Sequence, residues 1–192
     1  MSIRQSLLAL LAEGDRYGYQ LRQEFEARTG GTWPLNIGQV YTTLARLQRD
    51  DLVREAGRQE DGSVVYTLTR TGRLEVEHWW RTPVDRGTPA RDEVAIKVAL
   101  AVTAPGVDVA AVVQQQRTET LKALREYTRM QARIPDPPGD ADLAWLLVLD
   151  SLVFAAEAEA RWLDHVEQRL LHRTGNGVHP LPDHPQQKGL QR

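Results

Sequence analysis

Residues 36–49 read Asn36-Ile37-Gly38-Gln39-Val40-Tyr41-Thr42-Thr43-Leu44-Ala45-Arg46-Leu47-Gln48-Arg49. Ile37, Val40, Tyr41, Leu44 and Leu47 recur at the spacing of an α-helix and share one face. Gln39, Thr42, Thr43, Arg46 and Arg49 fall on the other face, which offers amide, hydroxyl and guanidinium groups and no carboxylate. Asn36 stands where an N-cap would, and Gln39 sits where a capping box would reach back. Side chains of these types bond to base edges in the major groove and to phosphate oxygens. The stretch reads as a recognition helix. An ordinary amphipathic helix with a solvated polar face has the same pattern, so the flanks decide between the two.

Upstream, Ile3 to Ala12 predicts a first helix with Ile3, Leu7, Leu10 and Leu11 on one face. Gly14-Asp15-Arg16 breaks it, and a second helix opens at Tyr17 and stops at Thr29-Gly30-Gly31. Trp33-Pro34-Leu35 crosses to the stretch above. Downstream, Leu52 to Glu55 and Ser63 to Leu68 predict two short strands around a polar loop, Ala56 to Gly62. Thr69 then caps a fourth helix running through Trp79 and Trp80. Three helices, a hairpin and a fourth helix in that order make a winged helix-turn-helix, with the polar loop as the wing.

The rest of the chain is helical. Residues 81–89, with Pro83, Gly87 and Pro89, form a linker. Ala90 to Thr103 predicts a helix ended by Ala104-Pro105-Gly106. A longer helix opens at Val107-Asp108 and runs to Arg133, ending at Ile134-Pro135-Asp136-Pro137-Pro138-Gly139. Asp140 to His172 forms the longest helix, and its apolar stripe is wide enough to need a second partner, most simply a second copy of the chain. The fold class is therefore mostly α: an N-terminal winged helix-turn-helix with a two-stranded β wing over 1–80, and a C-terminal α-helical dimerisation arm over 90–174. A disordered tail is expected over 175–192, rich in Pro, Gln and His.

Three separated motifs carry a family resemblance. They are Asp15-Arg16-Tyr17-Gly18-Tyr19-Gln20-Leu21, Gly38-Gln39-Val40-Tyr41-Thr42-Thr43-Leu44-Ala45-Arg46-Leu47 and Tyr66-Thr67-Leu68-Thr69-Arg70-Thr71-Gly72. In that order they resemble the PadR family of bacterial transcriptional regulators over roughly residues 3 to 80, and the long C-terminal region resembles that of the virulence-activator subgroup. The resemblance implies a helical dimerisation arm and control by phenolic compounds or drugs. One departure stands out: the family usually has glycine just after the recognition helix, where this chain has Asp51. If residue 51 is left-handed, Asp tolerates that better than most residues but less well than Gly.

The net charge of -2 does not announce a nucleic-acid binder, so local charge must do so. The base-reading candidates are Asn36, Gln39, Thr42 and Thr43, at the start of the recognition helix. Arg46 and Arg49 are placed for phosphates, and Arg58 near the wing tip for phosphate or the minor groove. Tyr17 and Gln20 open the second helix and can bond the DNA backbone, whereas the spacing of Tyr41 puts it with the packed face. Arg46 and Arg49 are followed at once by Asp50 and Asp51, which predicts few phosphate contacts per subunit and a shallow salt dependence. Tyr127, Trp145, Phe154 and Trp162 form a candidate effector pocket in the arm, or simply its core.

Other classes find no footing. The serines, Ser2, Ser6, Ser63 and Ser151, lie outside any nucleophile elbow, and no Gly-rich phosphate loop precedes a lysine and hydroxyl. The chain has no cysteine, which excludes disulfides and thiolate metal sites and fits a reducing compartment. His165 and His172 share a helix face, and His179 and His184 lie in the tail, without a ligand set around either pair. The run Leu7 to Ala12 is no signal peptide, and Leu143 to Ala156 is too short to span a bilayer. The expectation is a cytoplasmic, homodimeric, double-stranded-DNA-binding regulator, more readily a repressor, with no enzymatic activity, cofactor, metal or membrane association. A small-molecule effector would act at the arm. The alternative is a winged-helix protein-interaction module that does not bind DNA.

Overall fold

The structure is a computed structural model and describes residues 3–175 apart from 86, 88 and 137. The tail expected over 175–192 lies almost wholly outside the described residues. The elements in order are α1 (Ile3–Ala12), β1 (Arg16–Tyr17), α2 (Gly18–Arg28), α3 (Ile37–Arg49), β2 (Val53–Arg58), β3 (Val64–Leu68), α4 (Arg70–Arg81), α5 (Glu93–Thr103), α6 (Val109–Gln131) and α7 (Asp140–Gly175). They fall into two compact units, residues 3–90 with 127–153, and residues 91–126 with 154–175.

In the first unit, apolar spacing dictates what meets what. Leu7, Leu8, Leu10 and Leu11 of α1, Leu21 and Phe25 of α2, and Val40, Leu44 and Leu47 of α3 share one core with Leu52, Val53, Tyr66, Leu68 and Val76. Each fully buried leucine contributes about 1.5–3 kcal/mol by leaving water. Ile37 packs against this core only in part, and Tyr41 is 43% exposed. The Tyr41 ring lies over Gly18, where a Cβ would stand 2.7 Å from its Cε1. The packed role expected of Tyr41 is therefore met at the backbone of α2 rather than in the core.

Both helices of the helix-turn-helix end in the same way. At α2, Gly31 N–H donates to Glu26 O at 2.7 Å and Gly30 N–H to Ala27 O at 3.3 Å, with Gly30 at φ +56°. At α3, Leu52 N–H donates to Leu47 O at 2.9 Å and Asp51 N–H to Gln48 O at 3.1 Å, with Asp51 at φ +55°. These are Schellman caps, and the second has its usual apolar contact partners, Leu47 and Leu52, both buried. Asp51 thus adopts the left-handed conformation for which glycine is better suited.

The sheet has three strands in the order β1-β3-β2, all antiparallel, where the sequence predicts a two-stranded wing. Arg16 and Tyr17 pair with Tyr66 and Val65, adding a strand too short to show any alternation. The first wing strand also continues to Arg58, past its expected end at Glu55, through a bulge between Glu55 and Gly57. The connecting turn is correspondingly shorter. Gln59 N–H donates to Ser63 O and Gly62 N–H to Gln59 O, both at 2.9 Å. Ser63 N–H donates to the Asp61 carboxylate at 2.9 Å, which lowers the Asp61 pKa. Thr69 caps α4 as expected, accepting from Gly72 N–H at 3.0 Å.

In the second unit Val98, Val113 and Leu163 are buried together, with Val94, Val109, Trp162, Val166 and Leu170 packed around them. The helix expected from Ala90 begins at Glu93, after Asp92 accepts from Ala95 N–H at 3.0 Å. The next begins at Val109, after Asp108 accepts from Ala111 N–H at 3.0 Å. Within this unit α6 and α7 run antiparallel, laced by Gln114 to Glu167 at 2.7 Å, Arg117 to Asp164 at 2.5 Å and Gln116 to Glu159 at 3.1 Å. The bond to Asp164 raises the Arg117 pKa.

Candidate nucleic-acid interface

Helix α3 presents its polar face outward from a fixed start. Asn36 Oδ1 accepts from Gly38 N–H at 2.8 Å, so the cap is made, and its amide nitrogen is left for a ligand. The capping box expected with Gln39 is not made: the Asn36 side chain accepts from Gly38 N–H, and the first-turn bonds run from Gln39 N–H and Val40 N–H to Asn36 O at 3.0 and 3.1 Å. The exposed Gln39 side chain therefore keeps both its donor and its acceptor. The reach-back half of such a box forms instead at α2, where Gln20 Oε1 accepts from Tyr17 N–H at 3.2 Å. Of Gln20, only the amide nitrogen remains for a backbone contact, and Tyr17 is half-buried beside it.

Thr42 and Thr43 both turn their hydroxyl protons onto the helix, to Gly38 O and Gln39 O at 2.8 Å. A hydroxyl bonded in this way still accepts through its lone pairs, and its methyl group remains available. In this rotamer the pair suits an amino group or a thymine methyl better than a base acceptor.

The same face opens into a hollow of about 870 Å3, lined by Asn36, Gln39, Thr42, Thr43, Arg46 and Arg49 together with Ile3, Arg4, Leu47 and Asp50. Six of the nine residues singled out in the sequence for DNA contact are thus brought together. Arg4, from the start of α1, was missed. Its Nη1 donates to Asp50 Oδ2 at 3.1 Å, while Arg49 donates to Asp50 Oδ1 from Nε and Nη2 at 3.2 and 3.1 Å. The spacing within α1 points to a core-facing helix and says nothing of the groove its first turn borders. Arg58 is exposed on the hairpin, opposite Val64, and does not line this hollow. It also sits near enough to the buried Tyr66 to act on its phenol. Burial raises that pKa first, Glu55 and Tyr41 add to the rise, and Arg58 opposes it.

The cations on the supporting helix and just before it are already committed. Arg28 donates to Glu13 Oε2 at 2.6 Å and to Glu24 at 3.4 Å, and Arg16 to Glu13 at 3.3 Å. The bond from Arg28 holds the Glu13 carboxyl below its ordinary range. Glu26 accepts from Arg22 Nε at 2.9 Å and from Leu35 N–H at 3.1 Å, and both bonds lower its pKa. That carboxylate ties α2 to the segment that enters α3, so it sets where the polar face begins.

The four arm aromatics belong to different surroundings. Trp162 packs against the second unit's core, and Phe154 is 67% exposed in the same unit. In the first unit, the Trp145 ring lies on Gly30, in space a Cβ there would occupy, and Tyr127 is half-buried. A second hollow, of about 400 Å3, is lined by Lys97, Gln115, Gln116, Thr118 and Glu119, and includes none of them. Among the described residues no cluster of His, Asp and Glu is fit to hold a metal ion, and no helix is long and apolar enough to cross a membrane. His165 accepts from Arg169 Nε at 2.8 Å and His172 bonds Gln168 O at 2.6 Å, both within α7. His179 and His184 lie outside the described residues.

Comparison with known proteins agrees with the fold. Residues 7–78 match the transcriptional regulator PadR-like family, and residues 90–170 match the virulence activator alpha C-terminal family. The Mycobacterium tuberculosis protein "Probable transcriptional regulator Rv1176c" is 29% identical over 185 residues, covering 88% of this chain and 98% of its own. Bacillus subtilis PadR in complex with operator DNA has a TM-score of 0.68 at 19% identity, covering 86% of this chain and 97% of that one. The same protein in complex with p-coumaric acid has a TM-score of 0.69 at 20% identity, with 85% and 95% covered. A winged helix-turn-helix followed by this C-terminal helical region places the chain in the PadR-like family of transcriptional regulators, with the virulence-activator type of C-terminus.

Proposed function

We propose that the protein binds a palindromic operator as a homodimer, through α3 of each subunit, and represses transcription by occupying a promoter. The observation that carries this reading is the hollow in which Asn36, Gln39, Thr42 and Thr43 stand beside Arg4, Arg46 and Arg49. Side chains of the kinds that read bases and bind phosphate stand together on one concave surface. Residues 1–80 serve as the DNA-binding domain, 81–89 as the linker and 90–174 as the dimerisation domain. Self-association is supported by apolar side chains left in water in the second unit: Leu100 is 63% exposed, Phe154 67% and Leu171 64%. Two half-sites about 34–36 Å apart, or a multiple of that, would then be read together. A small aromatic effector at the arm is supported by the p-coumaric acid complex of the Bacillus subtilis protein. It would act by changing the separation of the two α3 helices, since base contacts tolerate little displacement.

Selection of bound duplexes from a random pool tests the reading. A palindromic consensus is the expected result, and a pool that gains no sequence preference overturns it. One observation favours the second reading, a protein-interaction module: Asp50 places a negative charge among the arginines of the hollow. Arg46→Ala separates the two. It weakens duplex binding while leaving self-association intact if DNA is the partner, and leaves duplex affinity unchanged if it is not.

A further inference from the structure

Asp50 is bridged on both sides. Its Oδ2 accepts from Arg4 of α1 at 3.1 Å, and its Oδ1 from two nitrogens of Arg49 at 3.2 and 3.1 Å. All three side chains line the α3 hollow and are partly in water, 31% exposed for Asp50, 43% for Arg4 and 74% for Arg49. Arg46 lines the same hollow and takes no part in the bridge. Asp51, next in the chain, has the same charge, but what it gives the fold is its backbone, whose carbonyl accepts from Thr69 Oγ1 at 2.7 Å.

We propose that Asp50 is an internal competitor for phosphate: it occupies Arg4 and Arg49 in the free protein, so that a phosphate engages them only by displacing a carboxylate, and duplex of arbitrary sequence is held weakly as a result. The proposal rests on the DNA-binding reading above and adds two residues to it, Arg4 as a phosphate ligand and Asp50 as the group that moderates it. The reason is electrostatic. Binding to arbitrary sequence draws its strength from cations that neutralise phosphates and release counterions. Arg4, Arg46 and Arg49 offer three positive charges to the hollow, and Asp50 removes one. A displaced carboxylate near the phosphates also recruits a cation from solution, which cancels one released counterion. Eliminating its charge therefore steepens the slope of log affinity against log salt by about 0.9. Between about 200 and 50 mM salt that slope amounts to about 3.5-fold. Weak holding of arbitrary sequence keeps a regulator from being sequestered by the vast excess of non-operator DNA.

The test titrates the full chain with a short duplex of random sequence and with a selected duplex, at about 50 and 200 mM salt. Asp50→Asn is expected to bind both duplexes more tightly, with a gain about 3.5-fold larger at the lower salt. Asp51→Asn, which makes the same change of charge one residue away, is expected to gain less. In an Arg4→Ala background the Asp50→Asn gain is expected to shrink, because one of the two arginines it releases is gone. Equal gains from the two asparagine variants, or an undiminished gain without Arg4, would reduce Asp50 to a distant charge and overturn the proposal. No gain from Asp50→Asn while Arg46→Ala weakens binding overturns the proposal and leaves the DNA reading standing. Failure of the wild-type chain to bind either duplex overturns both. A thermal melt verifies folding, and Asp50→Ser, which also removes the charge, replaces the asparagine variant if that fails to fold.

Discussion

Gly72 on α4 lies directly against the carbonyl of Leu52, so close that a Cβ at residue 72 would overlap that oxygen. The same carbonyl accepts from Thr69 N–H at 3.1 Å, and Thr69 Oγ1 donates to Asp51 O, so the end of α3 and the start of α4 are stitched through both the backbone and the side chain of Thr69. Helix propensity alone favours alanine over glycine by up to about 1 kcal/mol. The overlap outweighs it, because the atom struck is main chain and cannot rotate away. Gly72→Ala is expected to destabilise the chain by about 1–3 kcal/mol, read as a lower urea midpoint at unchanged slope. A neutral or stabilised variant would show that the two helix ends are less tightly joined.

Asp51 sits at φ +55°, in the left-handed region. Asp51→Gly removes that strain but makes the unfolded chain more flexible, so its stability is expected to equal the wild type or exceed it by a few tenths of a kcal/mol. Asp51→Val keeps the strain and adds a branched Cβ, and is expected to cost about 1–2 kcal/mol. Chemical denaturation of the three proteins in parallel checks the order; a valine variant as stable as the glycine one contradicts it.

Acid should loosen the entry to α3. Glu13 and Glu26 both have carboxyl pKa values below the ordinary 4.5, each first through a side-chain hydrogen bond, from Arg28 and Arg22 respectively. A carboxyl lowered in the folded state contributes stability that is complete above its unfolded pKa and is lost as pH falls through the folded value. The melting temperature is therefore expected to drop as pH goes below about 4.5. The Glu13→Gln, Glu26→Gln double variant should start lower near neutrality and decline less on acidification. A wild-type profile no steeper than the variant's would mean these bonds do not persist in solution.

Gln39 and Arg46 should fail in different ways. Gln39 keeps both amide functions exposed for base edges, so Gln39→Ala is expected to cost about 1–3 kcal/mol on the selected sequence and little on arbitrary duplex. Arg46→Ala should weaken both by similar factors and flatten the salt slope by about 1. Titration of each variant against the two duplexes distinguishes them, and matching losses for Gln39→Ala on both would remove it from the base-reading set.

The helices were legible because their cores obey local periodicity: Val40, Leu44 and Leu47 are buried where the three-and-four spacing places them. The cap at Thr69 was legible too, since it is decided within a few residues; a left-handed Asp51 was raised only as a condition, through the glycine that the resembled family has there. What escaped was non-local. Strand β1 exists only because Arg16 and Tyr17 meet Tyr66 and Val65, and two residues carry no alternation to betray a strand. Arg4 reaches Asp50 across 46 positions of sequence, and its own helix gives no hint of that neighbour. The reach-back bond was expected at Gln39 and formed at Gln20; both glutamines stand at the same offset from a helix start, and spacing cannot choose between them.

The two faces of α3 answer to separate demands. Val40, Leu44 and Leu47 anchor the cylinder, while Gln39 and Arg46 on the outside bear no part of its weight. Under the DNA-binding reading proposed above, substitution at Gln39 would therefore redirect the protein to another operator without first rescuing its architecture. A lineage of duplicated genes built on this scaffold could diverge in target by changing very few codons.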